Sequence, residues 1–338
     1  MKQEITIESY GKINLTLDVQ GLLDNGYHKV EMVMQQIDLH DTVHVTWQPS
    51  PETGSVSEHS TGTATDDVPP IKIDLSTSRS DLPVDMGNLA YRAADLMCRK
   101  YGTLDRTAPN TNHPNRSGLI KIHIEKRLPV AAGLAGGSSN CAAVLHALNA
   151  LWDLNLSVAQ LCELGSELGS DIPFCIMGQA AASGALRETF HQDPLACHCA
   201  LATGTGTSLQ PLTGLKSDLV LSKPSISVST AEVYRGIDHE EIPQRPNTSN
   251  MIHALIDENV KLVRKNMINV LENFSLKRYP VIVYTKNKMQ TMCESDGVLM
   301  SGSGPTVFGL CDSMQQAKDV CREMLKENSE SYWTRTTF

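Results

Sequence analysis

A glycine- and serine-rich loop is the part of the sequence best suited to bind an anion. Residues 129–140 read P-V-A-A-G-L-A-G-G-S-S-N, with three glycines and two serines among residues 133–139. The segment before the loop alternates polar and apolar residues like a strand, and the segment after it has helical spacing. Glycines let backbone N–H groups face an anion, and the start of a helix adds positive partial charge. We therefore predict a phosphate site, with a tight turn capped by serines as the simpler alternative.

The loop belongs to neither of two common classes of phosphate-binding loop. The chain contains no G-x-x-x-x-G-K-[ST] segment, which excludes a Walker A loop. It also contains no H-R-D or D-F-G segment, which excludes a protein kinase. The predicted phosphate site therefore belongs to a different class of nucleotide-binding protein.

One carboxylate and one lysine complete the groups that phosphoryl transfer requires. Asp171 lies in G-S-D-I-P, after a helical segment and before a proline, where an isolated aspartate is typical of a turn or cap. Lys12 lies in the otherwise apolar segment G-K-I-N-L, where an isolated lysine is typical of a strand edge. Together with the loop, the two residues provide a base for an acceptor hydroxyl and a cation for the transferred phosphoryl group.

Composition and charge exclude several other classes of protein. The 338-residue chain has a formal net charge of -9 and no Lys/Arg-rich run, so we expect no nucleic-acid partner. It has no apolar run long enough to cross a membrane, and its first residues contain no apolar segment typical of a secretory signal, so we expect neither feature. Its nine cysteines are an odd number without paired spacing, which favours reduced thiols and a cytoplasmic location.

The elements that would position these residues form an α+β pattern. The predicted strands cover residues 5–7, 13–19, 43–47, 118–128, 219–221, 281–284, 298–300 and 306–310. The predicted helices cover residues 88–101, 144–151, 159–168, 229–234, two segments within 249–273, and a last segment after Ser313. Two polar stretches, 48–70 and 103–117, are predicted to be solvated loops. We expect a domain boundary between residues 185 and 220.

Three motifs resemble those of the galactokinase, homoserine, mevalonate and phosphomevalonate kinase superfamily, the GHMP kinases. G-K-I-N-L-T-L-D-V at 11–19 is similar to the first motif, residues 129–139 to the second, and S-G-S-G-P-T-V-F at 301–308 to the third. The resemblance implies ATP and Mg²⁺ as cofactors and a small-molecule substrate. It also implies a two-domain α+β fold. An N-terminal ribosomal-protein-S5-like α/β domain would cover 1–200, and a C-terminal ferredoxin-like domain would cover 201–338.

Four further segments resemble one branch of that superfamily. D-N-G-Y-H-K-V at 24–30, G-N-L-A-Y-R-A-A at 87–94, L-G-S-D-I-P-F at 168–174 and V-S-T-A-E-V-Y at 228–234 are similar to members whose substrate is 4-diphosphocytidyl-2-C-methyl-D-erythritol (CDP-methylerythritol). This resemblance implies phosphorylation of the 2-hydroxyl of the methylerythritol unit. That reaction is a step of the non-mevalonate isoprenoid pathway.

The resemblance also implies a role for individual residues. Asp171 matches the catalytic base and Lys12 its cationic partner. The expected substrate-binding residues are Asn14 beside the acceptor, Tyr27 and His28 at the cytosine, and Tyr234 on the other face of that base. The expected phosphate contacts are Pro129, Ala132, Gly133, Leu134, Ala135, Gly136, Gly137, Ser138 and Ser139, with Ser138 also a Mg²⁺ ligand. Asn88 and Lys126 are candidates for the adenine region.

Two alternatives remain at this level, and one segment departs from the family pattern. The G-G-T-A often found after the aspartate motif is G-Q-A-A here, at 178–181. Another small-molecule kinase of the superfamily is one alternative, against which the Tyr27-His28 pair argues, because its substrates carry no base. A non-catalytic relative of the same fold is the other. The presence of Asp171, Lys12 and the complete loop argues against it.

Overall fold

The structure is a computed structural model that describes residues 3–24, 26–50, 71–102, 117–293 and 296–338. These residues form one sheet of seven strands and a second sheet of four, each packed against helices. Within the described ranges, no helix combines the length and the apolar character that a membrane span requires.

The seven-stranded sheet is built on two long antiparallel strands near the N-terminus. Its strands are β1 (Glu4–Leu22), β2 (His28–Pro49), β3 (Lys72–Thr77), β4 (Gly118–Glu125), β5 (Cys199–Gly204), β6 (Ser208–Leu212) and, from later in the chain, Ile268–Asn269. The order is β3-β4-β2-β1 followed by Ile268–Asn269, and β5 pairs with both β2 and β6. The helices of this half are α1 (Leu89–Met97), α2 (Gly136–Leu151), α3 (Val158–Ser166), α4 (Ile172–Ala182) and α5 (Arg187–Phe190), and a π-helical turn, Cys98–Gly102, follows α1.

The four-stranded sheet is antiparallel and lies in the C-terminal half. Its strands are β7 (Asp218–Lys223), β9 (Val298–Met300), β10 (Val307–Cys311) and β11 (Glu330–Arg335). The label β8 denotes the Ile268–Asn269 strand, which belongs to the seven-stranded sheet. The sheet order is β11-β7-β10-β9. Its helices are α6 (Thr230–Ile237), α7 (Thr248–Ile256), α8 (Val260–Asn266), α9 (Glu272–Arg278), α10 (Pro280–Cys293) and α11 (Met314–Met324).

Strand β1 is continuous where the sequence predicted two short strands, at 5–7 and 13–19. Its pairing with β2 shifts register between Tyr10 and Lys12, so a local irregularity accommodates the polar segment between the two apolar runs. Gly11 lies at this shift, and a Cβ on it would approach Leu128 Cδ2 to 2.7 Å. The missing side chain lets the phosphate-loop segment pack closely against the strand.

The predicted strand at 281–284 is wrong, because these residues lie in the first turns of α10. Pro280 begins the helix, and proline is favoured there because a helix leaves its first N–H groups without intrahelical partners. The buried residues Ile282, Thr285 and Met289 are spaced three and four apart, as on one face of a helix. The β-branched run favoured a strand locally, and packing against β9 and β10 overrides it.

The two serine caps predicted from the sequence are confirmed. Ser229 and Ser313 cap α6 and α11 through bonds accepted from the backbone N–H groups of Glu232 and Gln316. The two polar stretches lie outside the described residues, apart from 48–50 and Ser117. The chain passes from the first sheet to the second between β6 and β7. The division at residues 200 and 201 stays a prediction.

Candidate active site

A cavity of about 1110 Å³ lies where β1, β2, the start of α2 and α6 come together. The third motif contributes Gly302 and Ser303 to its wall. Most of the predicted site residues line it, namely Lys12, Asn14, Tyr27, His28, Asn88, Lys126, Pro129, Ala132, Gly133, Ala135, Gly136, Gly137, Ser138, Asp171 and Tyr234. Residues from distant parts of the chain therefore face one space.

A lysine, an amide and a carboxylate form a polar group on the cavity wall. Lys12 is buried in β1, where its Nζ donates to Asn14 Oδ1 at 2.8 Å. The same Nζ lies 3.7 Å from Asp171 Oδ2. Asn14 is held by a contact of its Nδ2 with Met32 Sδ at 3.2 Å. The cavity wall thus places a buried ammonium beside a partly exposed carboxylate.

Asp171 occupies the N-cap position of α4 without capping the helix through its side chain. Its carboxylate, with 32% of the side chain exposed, is directed to Lys12. Pro173 in the first turn lacks an N–H, so one of the groups that a capping carboxylate would satisfy is absent. Pro173 thus removes one backbone donor that would compete for the carboxylate.

The glycine-rich loop presents the uncapped start of α2 to the cavity. Ala131, Gly133 and Ala135 have positive φ angles of 49°, 73° and 57°, which turn the backbone sharply before the helix. Ala135 is the N-cap and makes no side-chain capping bond. The first N–H groups of a helix have no intrahelical acceptor, and the helix dipole adds partial positive charge there. This end of α2 is suited to hold phosphate oxygens.

The third motif fixes the loop from the other half of the chain. Ser301 Oγ donates to the Gly133 carbonyl oxygen at 2.9 Å. A Cβ on Gly133 would lie 2.1 Å from the Ser301 carbonyl oxygen, so only glycine fits at this contact. Asn269 Nδ2 donates to the carbonyl oxygens of Met300 and Gly302, at 2.8 Å each. Asn269 therefore supports the third motif, and it was missed because its only sequence signal is one asparagine between helical segments.

The two serines of the loop differ in position. Ser138 lines the cavity, whereas Ser139 is buried and donates through Oγ to the Tyr10 carbonyl oxygen at 2.6 Å. Gln179 lies in the G-Q-A-A segment that departs from the family pattern, and it donates to the Ser139 carbonyl oxygen at 2.8 Å. Leu134 is also buried in the core, and its carbonyl oxygen accepts from the Lys12 backbone N–H at 3.1 Å. Ser139 and Leu134 thus position the loop from behind.

Lys126 takes part in a buried network that the sequence analysis missed. Its Nζ donates to Asp41 Oδ2 and, at 3.0 Å, to Asn140 Oδ1. Asp41 also accepts from the backbone N–H groups of Arg127 and Leu128 at 2.7 and 2.8 Å. The sequence did contain a sign of this burial. Side chains alternate between the two faces of a strand, and Asp41 lies on the same face of β2 as the buried Val43, Val45 and Trp47. The network fixes the chain where it enters the phosphate loop.

Asn88 serves as the N-cap of α1 as well as lining the cavity. Its Oδ1 accepts from the Ala90 N–H at 3.0 Å, and its Nδ2 donates to the Pro83 carbonyl oxygen at 2.9 Å. The side chain thereby joins the 83–88 segment to the helix. Asn88 and Lys126 therefore both line the cavity while holding neighbouring segments in place, and their contact with adenine stays a prediction.

The rings of Tyr27, His28 and Tyr234 line what we call the aromatic end of the cavity, and a carboxylate outside the cavity contacts one of them. The ring centroids of His28 and Tyr234 lie 5.2 Å apart, at an interplanar angle of 47°. His28 Nε2 lies 2.9 Å from Asp238 Oδ1. Tyr27 is 60% exposed, so much of its surface is open to a ligand. Burial, followed by the charge of Asp171, raises the pKa of Tyr234, so this phenol stays neutral near pH 7.

A side chain added at Gly137 is predicted to weaken nucleotide binding without disturbing the fold. A Cβ there would meet only Leu89 Cδ1, at an ordinary 3.7 Å, and both residues line the cavity. We expect Gly137→Leu to lower ATP affinity by at least about tenfold, because the added side chain hinders approach of phosphates to the helix start. Calorimetric titration with ATP measures the effect. Gly184→Leu is the control, since its Cβ would meet nothing within 4 Å. Equal ATP affinity in the two variants would contradict the phosphate site.

Two family descriptions match the chain. The GHMP kinases N terminal domain matches residues 88–179, and the GHMP kinases C terminal domain matches residues 251–330. The first contains the phosphate loop and Asp171, and the second contains the third motif. The matches therefore include both walls that meet at Gly133 and Ser301.

Curated relatives are similar over nearly the whole chain. A 4-diphosphocytidyl-2-C-methyl-D-erythritol kinase of Alkaliphilus metalliredigens (strain QYMF) is 40% identical over 321 residues, which cover 95% of this chain and 92% of the relative. A protein of the same description from Clostridioides difficile (strain 630) is 37% identical over 332 residues, covering 97% and 94%. The similarity thus extends through both sheets.

Solved structures show the same arrangement of elements. A crystal structure of 4-(cytidine 5'-diphospho)-2C-methyl-D-erythritol kinase matches with a TM-score of 0.71 and 26% identity, covering 99% of this chain and 100% of that chain. A homoserine kinase from Cytophaga hutchinsonii ATCC 33406 matches with a TM-score of 0.65 and 16% identity, covering 100% and 95%. At that identity, the second match concerns the fold alone.

Proposed function

Since the chain belongs to the 4-diphosphocytidyl-2-C-methyl-D-erythritol kinase family of the GHMP kinases, we infer that it transfers a phosphoryl group from ATP to the 2-hydroxyl of CDP-methylerythritol. The predicted two-domain GHMP kinase fold is confirmed. The protein is a small-molecule kinase, and its reaction is a step of the non-mevalonate isoprenoid pathway. The observation that carries the assignment to this site is the joint placement of the uncapped start of α2 and the Lys12–Asp171 pair in one cavity.

The start of α2 is proposed to hold the phosphates of ATP. Gly136, Gly137 and Ser138 contribute the first backbone N–H groups of the helix and line the cavity. Gly133 keeps the loop tight against the third motif, so these donors are held in place before the nucleotide arrives. Fixed donors stabilise the charge that spreads over the phosphoryl oxygens in the transition state.

Asp171 is proposed to accept the proton of the substrate hydroxyl. As that oxygen attacks the γ-phosphorus, a new P–O bond forms, the bond to the β–γ bridging oxygen breaks, and ADP leaves. The proton moves to a carboxylate oxygen of Asp171, which lines the cavity. Lys12 holds that carboxylate at 3.7 Å and places positive charge beside the reacting groups. Asn14 orients the ammonium through its 2.8 Å bond.

Mg²⁺ fits this site as an ion carried mainly by the nucleotide. Among the described residues, no group of three or more His, Cys, Asp or Glu side chains is arranged to hold a metal. Mg²⁺ commonly takes one or two protein oxygens together with phosphates and waters. The Ser138 hydroxyl, at the start of α2, is the protein oxygen proposed to contact it. When bound, the ion would neutralise phosphate charge.

The aromatic end of the cavity is proposed to hold the cytosine. The exposed ring of Tyr27 and the ring of Tyr234 both line the cavity, so a flat base can stack against them. Base–aromatic stacking contributes roughly 1–3 kcal/mol per base. Since the base itself takes no part in phosphoryl transfer, these contacts are expected to bind ground state and transition state alike.

Tyr27→Ala is therefore predicted to raise KM for CDP-methylerythritol by about tenfold or more, with little change in kcat. CMP is expected to compete with CDP-methylerythritol and not with ATP. Steady-state kinetics with each substrate varied in turn measure both effects. Tyr284→Ala is the control, because Tyr284 is also exposed, at 53%, and does not line the cavity. Competition of CMP with ATP alone would contradict the cytosine site.

Product analysis tests the proposed reaction. Incubation with ATP and CDP-methylerythritol is expected to yield one ADP for each new phosphomonoester, with the phosphate on the 2-hydroxyl. Phosphorus NMR identifies the position of the new group. Formation of ADP without a phosphorylated acceptor, or a phosphate on another hydroxyl, would contradict the assignment.

A further inference from the structure

A carboxylate outside the cavity holds one of the cavity's polar rings. His28 Nε2 lies 2.9 and 3.0 Å from the two oxygens of Asp238, 210 residues later in the chain. Only 8% of the His28 side chain is exposed, and His28 lines the cavity. Asp238 does not line the cavity, so it reaches a bound ligand only through His28.

Helix α6 holds the His28 ring at two points. Tyr234 and Asp238 are four residues apart, hence on one face of the helix. The Tyr234 ring packs against the His28 ring, and the Asp238 carboxylate binds its Nε2. Asp238 is the C-cap of α6, where a negative charge is unfavourable because it faces the negative end of the helix dipole. A carboxylate at this position is therefore better explained by its contact with His28 than by the helix.

The contact determines which nitrogen of neutral His28 carries the proton. A carboxylate only accepts hydrogen bonds, so Nε2 must be the protonated nitrogen. The other nitrogen, Nδ1, is then a hydrogen-bond acceptor. Cytosine carries an amino group, a donor, at the position where uracil carries a carbonyl oxygen, an acceptor. Nδ1 of the His28 ring can thus accept from the amino group of cytosine, whereas with uracil it would face a carbonyl oxygen, which is also an acceptor.

We propose that Asp238 is a positioning residue for base selection, which holds His28 in the Nε2–H form so that Nδ1 accepts from the amino group of cytosine. The proposal rests on the proposed function, because it concerns the base of the same substrate. It adds a residue that distinguishes a cytidylyl substrate from its uridylyl analogue. Stacking on Tyr27 and Tyr234 alone would not make this distinction, since every base has an aromatic face.

Binding of CMP and UMP, measured by calorimetric titration of the full chain, tests the proposal. The wild-type chain is expected to prefer CMP by at least about tenfold, as a matched hydrogen bond against an unmatched one predicts. In Asp238→Asn the new amide can donate to Nε2, which lets the proton move to Nδ1. The preference is then expected to fall below about threefold, through weaker CMP binding and tighter UMP binding.

Two further variants separate base selection from a general effect on the fold. Asp238→Glu restores a carboxylate and is expected to recover part of the preference for CMP. Asp257→Asn is the matched control, because Asp257 is the exposed C-cap of α7 and does not line the cavity. It is expected to keep the wild-type preference.

Kinetics provide a second measurement that a purely structural role would not produce. Asp238→Asn is expected to raise KM for CDP-methylerythritol by about tenfold while kcat falls less than about threefold. An unchanged CMP preference in Asp238→Asn would overturn the proposal and leave the kinase assignment standing. Equal binding of CMP and UMP by the wild-type chain would also overturn the proposal, because it would mean that stacking alone holds the base.

Discussion

Asp171→Asn is expected to bind both substrates and to lose turnover by about 10²- to 10⁴-fold, the usual contribution of a general base. The amide is nearly the same size as the carboxylate and its oxygen can still face Lys12, so the wall of the cavity is retained. Because Asp171 makes no side-chain capping bond to α4, the helix does not depend on the charge. Pre-steady-state and steady-state kinetics measure kcat, and calorimetry measures substrate affinity.

Asp153→Asn is the matched control for this variant. Asp153 is exposed and has a positive φ of 51°, a backbone conformation that asparagine adopts readily. The control is expected to retain wild-type kcat. An Asp171→Asn protein that is folded, binds both substrates and turns over within about threefold of wild type would remove Asp171 from the mechanism.

Lys12→Met is expected to lower kcat by about 10²- to 10³-fold, the range found when one charge-stabilising group is removed from a transition state. Methionine has a similar length and suits the buried position in β1, so the packing is largely kept. The loss of positive charge is expected to affect both the Asp171 carboxylate and the transferred phosphoryl group. Steady-state kinetics at saturating ATP and substrate measure this effect.

The double variant, Lys12→Met with Asp171→Asn, is a stricter test of Lys12 than the single variant. Since the two side chains act on one another at 3.7 Å, removal of both is expected to cost less than the product of the single losses. Lys121→Met is the control, because Lys121 is an exposed strand lysine that does not line the cavity. If the loss of kcat in the double variant equals the product of the two single losses, or if Lys12→Met has a normal kcat, the two residues do not act as a coupled pair.

Local patterns predicted most of the elements that position the site. The alternation before residue 129 and the helical spacing after the loop correspond to β4 and α2, and the serine caps of α6 and α11 are where the sequence placed them. The strand predicted at 281–284 failed because a short β-branched run carries no information on what it packs against. The long continuous strand β1 was divided for a similar reason, since a register shift interrupts its apolar pattern.

The residues that support the site were harder to predict than those that line it. Asp41, Asn269 and Asp238 act through contacts with residues 31 to 210 positions away, and no local motif marks such pairings. Of the three, only Asp41 could have been noticed in the sequence, because it is an acidic residue on the buried face of β2. Ser139 is the reverse case, a residue expected to contact phosphate that is instead directed into the core. Its position next to Ser138 in the loop gave no indication of this difference.

The acceptor dependence of ADP formation tests the central claim most directly. ADP release is measured in a coupled assay with CDP-methylerythritol, with methylerythritol phosphate, with mevalonate and with homoserine as acceptors. The geometry predicts that kcat/KM for CDP-methylerythritol exceeds that for methylerythritol phosphate by at least about 10²-fold, because only the former reaches both the Lys12–Asp171 pair and the aromatic end of the cavity. Equal use of methylerythritol phosphate, or a preference for mevalonate or homoserine, would contradict it.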